Sequence, residues 1–148
     1  MRLLSGIMII LSSACTAQDL REDSTRYAWA EICDTTSNTL DYAKCICDQY
    51  AIADRMLALE LGRVMGNINT DLAHLRSQEP HDTVEIGRLT EIQQLLRTSQ
   101  SHWEAVREND QKAVFTMNIT GSGRTAIACF EATLETFDRI RRLQEMSP

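Results

Sequence analysis

The chain has 148 residues, a formal net charge of −6 at pH 7 and few aromatic residues, only 5%. A chain of this length is expected to form one domain. Because phosphate binding needs concentrated basic charge, the acidic balance argues against a nucleic-acid partner and favours a cationic protein partner. With 24% charged residues and only two prolines, the composition favours an all-helical protein.

The N-terminus has the layout of an export signal. One basic residue precedes an apolar run over residues 3–11, which is too short to span a bilayer, and small residues follow. Two processing routes fit this segment. Either cleavage after Ala17 removes a signal of residues 1–17, or a lipoprotein signal of residues 1–14 is removed and Cys15 is lipidated. Both routes predict a location in the periplasm or cell envelope, with membrane attachment only through a lipid anchor.

Residues 18–24 are polar and are interpreted as a tether, followed by one domain over residues 25–148. In that domain apolar residues recur at steps of three and four, the spacing of amphipathic helices. A short helix is predicted around residues 27–33. The first long helix is predicted over residues 48–76, with the apolar stripe Leu57, Leu61, Val64, Ile68, Leu72 and Leu75.

Pro80 interrupts this pattern, and Asp82 followed by Glu85 has the form of a capping box for the next helix. The connection is short, so these two helices should be antiparallel neighbours. The stripe of the second long helix is Leu89, Ile92, Leu96, Ser99, Trp103 and Val106. A last helix follows the turn-rich residues 118–123, with one face formed by Ile127, Phe130, Leu134, Phe137 and Ile140. The predicted fold is a small antiparallel bundle of three long helices and a short N-terminal helix.

Four cysteines remain once Cys15 is removed or lipidated: Cys33, Cys45, Cys47 and Cys129. In an exported protein this even number favours two structural disulfides. Cys45 and Cys47 are two residues apart, so their side chains point in different directions in a helix or a strand, and a bond between them would be strained. Excluding that bond leaves two pairing schemes open.

The chain offers no pattern typical of a metal, redox or catalytic site. The C-x-C spacing is not that of a zinc knuckle, and His74, His81 and His102 show no paired spacing. A thioredoxin-like role needs C-x-x-C in an α/β setting. Acid pairs such as Glu131 and Glu135 are common on solvated helix faces, and no nucleophile elbow or phosphate loop is present. We therefore expect neither a cofactor nor catalytic activity.

The second long helix contains the motif Q-x-x-W-x-x-x-R, formed by Gln100, Trp103 and Arg107. This motif resembles the signature of the bacterial lysozyme inhibitor LprI-like family (LprI N-terminal domain). Other features agree with that family in order and spacing over roughly residues 33–143. Two cysteines have eleven residues between them, "ADRML" follows, and a Gly/Ser turn precedes the last cysteine and an Arg-rich final helix. The resemblance implies that the protein inhibits lysozyme-type peptidoglycan hydrolases.

The chain also departs from the pattern of this family. Gln111 stands about where the family commonly has a cysteine, a usual tyrosine of the first long helix is missing, and Cys47 is additional. With these differences, the resemblance implies that Cys33 pairs with Cys45, while Cys47 takes over as the partner of Cys129. Both bridges would be structural.

Gln100, Trp103 and Arg107 share one helix face, because they stand at positions i, i+3 and i+7. We interpret them as mainly structural. Trp103 is expected to bury its ring, Arg107 to reach a carboxylate or helix-end carbonyls, and Gln100 to bond a neighbouring backbone group. The signature would then mark the fold, and the inhibitory surface would lie elsewhere.

The function implied by the resemblance is occlusion of the active-site cleft. Lysozymes cleave peptidoglycan with two carboxylates in a cleft, and many are cationic, so an acidic inhibitor gains association rate from steering and affinity from a projection. Two loops offer such a projection, residues 77–82 and residues 118–124. The second is favoured, with the candidate contacts Asn118, Thr120, Ser122 and Arg124. The alternative function is an immunity or adaptor protein of the envelope, which binds another wall-degrading toxin or a membrane complex.

Overall fold

The computed structural model describes residues 28–118, 121 and 123–146. Within these residues it contains no strand and four helices: α1 (Ala28–Glu31), α2 (Thr39–Ser77), α3 (Thr83–Met117) and α4 (Arg124–Glu145). The predicted all-α bundle of three long helices and a short one is confirmed. The export signal, the lipidation of Cys15 and the tether are predictions that fall outside the described residues. None of the four helices is both long and apolar enough to cross a membrane.

α2 begins nine residues before the predicted start at residue 48. Its N-cap is Asn38, whose Oδ1 accepts hydrogen bonds from the amides of Leu40 and Asp41 at 3.0 and 2.9 Å. A cap of this kind stabilises a helix by about 1 kcal/mol. The first two turns bury only Ala43 and Ile46, so the apolar stripe is too sparse there to indicate a helix. This extension places Cys45 and Cys47 inside α2.

α3 begins as predicted, because the Oδ1 of Asp82 accepts a hydrogen bond from the amide of Glu85 at 3.0 Å. The Glu85 carboxylate accepts from Nε of Arg88 at 2.7 Å, one turn further along α3. α2 and α3 are antiparallel: Asp54 pairs with Arg107 near one end, and Asn69 accepts from Gln93 at 2.6 Å towards the other.

The main core lies where the three long helices meet. α4 packs mainly on α2, less on α3, and α2 and α3 contact each other least. The buried residues of the main core are Leu57, Val64, Ile68, Leu72, Leu89, Leu96, Ile140 and Leu143. A smaller cluster at the other end joins α1 to the bundle, where the Trp29 ring packs at a tilt against those of Phe130 and Phe137, with centroids 5.1 and 6.2 Å apart. The end near α1 therefore has its own packing.

Two predicted apolar stripes differ from the observed buried faces. On α3, Val106 is 56% exposed, and Gln100 is buried on the inner face instead. On α4, Ile127 is 42% exposed, and most residues of the buried face are small or polar: Ala126, Ala128, Cys129, Ala132, Thr133, Thr136 and Arg139. The stripe predicted for α4 contained only large apolar residues. Its buried face is instead rich in small side chains, which allow α4 to approach its neighbours closely.

α4 runs parallel to α2 and ends before it. Cys47 of α2 is bonded to Cys129 of α4, at a sequence separation of 82. Asp54 of α2 and Thr136 of α4 both bind Arg107, so these two residues also lie side by side, and they have the same separation in sequence. The end of α4 is therefore level with residue 63 of α2. α2 continues to Ser77, which at 1.5 Å per residue is about 21 Å further. We call this projecting two-helix part, residues 64–97, the arm.

Candidate functional site

Two disulfides cross-link the end of the bundle that lies opposite the arm. Cys33 is bonded to Cys45 with an S–S distance of 2.04 Å, and Cys47 to Cys129 with 2.05 Å. This confirms the pairing implied by the family resemblance. Residues two apart on a helix point about 200° apart, so Cys45 meets the segment after α1 while Cys47 meets α4. Disulfides of this kind indicate an oxidising, extracytoplasmic compartment.

The side chain of Arg107 joins the three long helices. Its Nη1 donates to Oδ1 of Asp54 on α2 at 2.7 Å and to Oγ1 of Thr136 on α4 at 2.9 Å. The guanidinium lies over the rings of Trp103 and Tyr50, at 4.6 and 5.3 Å from their centroids. Only 11% of the Arg107 side chain is exposed, against 50% of the Asp54 side chain, so the guanidinium is largely shielded from water while the carboxylate is not. We call these five residues the arginine hub.

The groups around the hub have shifted pKa values. Burial raises the pKa of the Tyr50 phenol, and the Arg107 cation opposes part of this effect. Burial also raises the pKa of Glu135 on α4, the nearby Asp110 carboxylate raises it further, and Arg107 again acts in the opposite direction. The Tyr50 hydroxyl is therefore neutral at pH 7, as expected of a structural phenol.

Gln100 connects α3 to α4 and is 5% exposed. Its Oε1 accepts from Nε of Arg139 at 3.0 Å, and its Nε2 donates to Oε1 of Glu104 at 3.0 Å. Arg139 is itself buried and also donates to Oγ of Ser99 at 3.0 Å. Burial lowers the pKa of Arg139, and the Arg142 cation lowers it further. Gln100 thus supplies an acceptor to a desolvated cation.

The predicted backbone partner of Gln100 was wrong, because its side chain binds the side chains of Glu104 and Arg139. Arg139 was missed altogether. Arg139 stands three residues after Thr136 and therefore lies on the same inner face of α4, and this spacing could have indicated its burial. The other two interpretations agree with the structure: Trp103 is partly buried against the main core, and Arg107 binds a carboxylate. All three signature residues hold helices together.

A groove of about 820 Å³, lined by both apolar and charged side chains, lies between α2 and α3 beside the hub. Carboxylates of Asp54, Glu104 and Glu108 line it together with Arg97 and Arg107. Gly62 also lines the groove, and a Cβ added there would meet nothing within 4 Å. Among the described residues, no group of three or more His, Cys, Asp or Glu side chains is arranged to hold a metal ion.

The favoured loop, residues 118–124, is described only in part. Asn118 donates from Nδ2 to the carbonyl of Val114 at 2.8 Å, and the guanidinium of Arg124 lies 4.5 Å from the Phe115 ring centroid. The predicted contacts Thr120 and Ser122 lie outside the described residues. The two predicted contact residues that are described, Asn118 and Arg124, are therefore already held by contacts within the chain.

The other predicted loop connects α2 to α3 at the tip of the arm. His81 Nε2 lies 3.4 Å from Oε1 of Glu79, and their side chains are 46% and 84% exposed. Nε2 of Gln78 lies 2.9 Å from Nε2 of His74 in the last turn of α2. The peptide bond between Glu79 and Pro80 is cis. This loop presents polar side chains to solvent at the point furthest from the disulfides.

A second cavity, of about 710 Å³, runs along the arm from the end of α4 towards the tip. We call it the arm groove. Its walls come from α2, α3 and the end of α4, and its apolar part is formed by Val64, Ile68, Leu75, Ile92, Leu96 and Met146. It occupies the place where α4 would lie if that helix continued along the arm.

Comparison with known proteins gives no relative: no protein-family model, no curated protein and no solved structure matches this chain. The resemblance to the LprI-like family therefore stays a prediction, based on the motif residues and their spacing.

Proposed function

We propose that this chain is an exported, non-catalytic protein of the bacterial envelope that binds lysozyme-type peptidoglycan hydrolases and inhibits them by occluding the active-site cleft. The observation that carries the proposal is the arm, a two-helix projection about 21 Å long with an exposed polar tip. Together with the resemblance of the signature motif, this shape supports inhibition by insertion. We place the protein in the periplasm, either free or anchored through a lipid on Cys15.

The charge of the chain supports a cationic target. The net charge is −6, and removal of the signal with its single charged residue, Arg2, changes it to −7. Opposite charges on two proteins accelerate their association and suppress binding to unrelated partners of the wrong sign. An acidic inhibitor would therefore find a basic hydrolase rapidly at low ionic strength, and more slowly in salt.

The positions of the signature residues support a contact surface elsewhere in the molecule. Gln100, Trp103 and Arg107 face the inside of the bundle and bind residues of α2 and α4. Of the two loops, we favour the tip of the arm over residues 118–124. Asn118 and Arg124 are held by contacts within the chain, whereas Glu79 and His81 are exposed.

The purified mature protein should be titrated against a panel of lysozymes and other wall hydrolases, with cell-wall lysis as the measured rate. We expect complete inhibition of at least one enzyme at a one-to-one ratio. The double variant Glu79→Ala, His81→Ala should weaken inhibition at least tenfold. The control variant Asn118→Ala, Arg124→Ala should retain it.

If the folded protein inhibits no member of the panel, the proposal is wrong, and an immunity or adaptor role in the envelope becomes the better interpretation. If the control pair weakens inhibition and the tip pair does not, the occluding surface is the loop of residues 118–124. Hydrolysis of peptidoglycan by the protein alone would contradict the non-catalytic assignment.

A further inference from the structure

The arm groove has the form of a seat for one more helix. We propose that it binds an amphipathic α-helix with basic flanks, supplied by the hydrolase whose cleft the arm enters. Only the identity of the partner rests on the proposed function; the chemistry of the bound helix follows from the groove itself.

The shape of the groove follows from the length of α4. In the body of the molecule, Ile140 and Leu143 of α4 fill the seam between α2 and α3. Beyond Glu145 the same two helices continue, and the seam continues with them, lined by Ile68 and Ile92. A surface that already receives one helix has ridges and grooves at the spacing that receives another. The arm is about 21 Å long, enough for about 14 residues of helix.

The floor of the groove is apolar, so its occupant needs an apolar face. Leu75 and Ile92 are only partly buried on the groove side, and Met146 at the end of α4 is 51% exposed. Covering these side chains removes apolar surface from water, which is the main favourable term in helix-in-groove recognition.

The rim of the groove selects the charge of the occupant. Asp71 on α2 and Glu145 on α4 line the groove, and neither forms an ion pair with another described residue. Glu85 is bound to Arg88 across one turn of α3, so this pair adds little net charge. Two unpaired carboxylates favour lysine or arginine on the flanks of the bound helix. A second copy of this chain would bring the same carboxylates to the rim, and the two copies would repel each other.

The probe is a fluorescein-labelled peptide of 18 residues, composed of leucine and lysine, with leucine at positions i, i+3, i+4 and i+7. Its binding to the mature protein is measured by fluorescence anisotropy. A scrambled peptide of the same composition, with leucine distributed around the helix, is the control ligand. We expect the amphipathic peptide to bind at least tenfold more tightly than the scrambled one.

The double variant Asp71→Lys, Glu145→Lys should weaken binding of the amphipathic peptide at least tenfold, since it reverses both rim charges at exposed positions. A matched variant, Asp110→Lys, Glu131→Lys, makes the same change in charge on the same body at exposed positions outside the groove. Its affinity should stay within about twofold of the wild type, because exposed charges further away than the Debye length of ~8 Å are screened. Met146→Gln, which removes an apolar contact and leaves the charge of the rim unchanged, should also weaken binding of the amphipathic peptide.

Equal binding of the two peptides, or equal losses in the rim variant and the matched variant, would overturn the proposal. A dimer in sedimentation that Met146→Gln dissociates would overturn it as well, since the occupant would then be a second copy. The hydrolase panel separates the two proposals. Inhibition that the amphipathic peptide does not relieve rejects the groove alone, whereas peptide binding without inhibition of any hydrolase rejects the proposed function alone.

Discussion

Asp54 on α2 and Arg107 on α3 are 53 residues apart in the chain and form an ion pair with an N–O distance of 2.7 Å. The pair is asymmetric, because the Asp54 side chain is 50% exposed while that of Arg107 is 11% exposed. The carboxylate is therefore solvated, and the guanidinium is held by two rings and Thr136 in addition. Most of the stabilisation at this point depends on the arginine.

Replacement of Arg107 by alanine should lower the free energy of unfolding by about 3 kcal/mol, because it removes packing against two rings and leaves Thr136 without this donor. Urea denaturation followed by circular dichroism measures the change. The control is Arg63→Ala, which removes a pair with Glu60 within one turn of α2, where the arginine side chain is 45% exposed. It should cost clearly less stability than Arg107→Ala, because an ion pair with a solvated cation contributes little. Equal losses would mean that the hub is not a centre of stability.

Gln100→Leu should destabilise the protein by about 2 kcal/mol, because a buried cation, Arg139, loses one of its acceptors. The double variant Gln100→Leu, Arg139→Met replaces both partners by apolar groups and should recover much of that loss. A double-mutant cycle in urea gives the coupling energy. A double variant that is less stable than the sum of the two single changes would contradict this explanation.

Loss of the two disulfides should have unequal effects. The pair Cys47→Ser, Cys129→Ser opens a loop with a sequence separation of 82, and the pair Cys33→Ser, Cys45→Ser one of 12. The chain-entropy relation gives losses of about 4.5 and about 3 kcal/mol. Thermal unfolding of the two variants, each confirmed by non-reducing peptide mapping, tests this order. The reverse order would mean that packing near α1, and not loop closure, sets the effect.

The raised pKa of Glu135 predicts a pH dependence of stability. A carboxyl group whose pKa is higher in the folded state binds more protons when folded, so its contribution falls as the pH rises through that folded pKa. Glu135→Gln should therefore raise the melting temperature at pH 7 and change it little at pH 4. The matched control is Glu131→Gln, one turn away and exposed. A larger gain at pH 4 than at pH 7 would contradict the assignment.

Local patterns predicted much of the fold. The stripes from Leu57 to Leu75 and from Leu89 to Trp103 identified two helices, since their apolar residues recur at a helical period, and Asp82 marked where the second one begins. The disulfide pairing came from the resemblance to a family, because spacing alone left two schemes open. Such features depend on residues close together in the sequence or on a known pattern.

Most of the features that were missed depend on contacts between distant segments, although the cap at Asn38 is local. The early start of α2 rests on the cap at Asn38 and on the core contact of Ile46, and the apolar stripe does not record either. Arg139 is buried because Gln100, 39 residues away, accepts its hydrogen bond. The arm exists because α4 is shorter than α2, and helix periodicity does not reveal how two helices are aligned. The candidate contacts on residues 118–124 remain a prediction.

Both covalent cross-links lie at the end of the molecule that contains α1, and the arm is held only by noncovalent packing. The described part of the chain thus has a rigid base and a compliant tip. Separation of the two arm helices strains no sulfur bridge, so this region can fray and close again while the base stays folded. An extracytoplasmic protein built this way can adapt its projecting end to differently shaped surfaces while its cross-linked base resists complete unfolding.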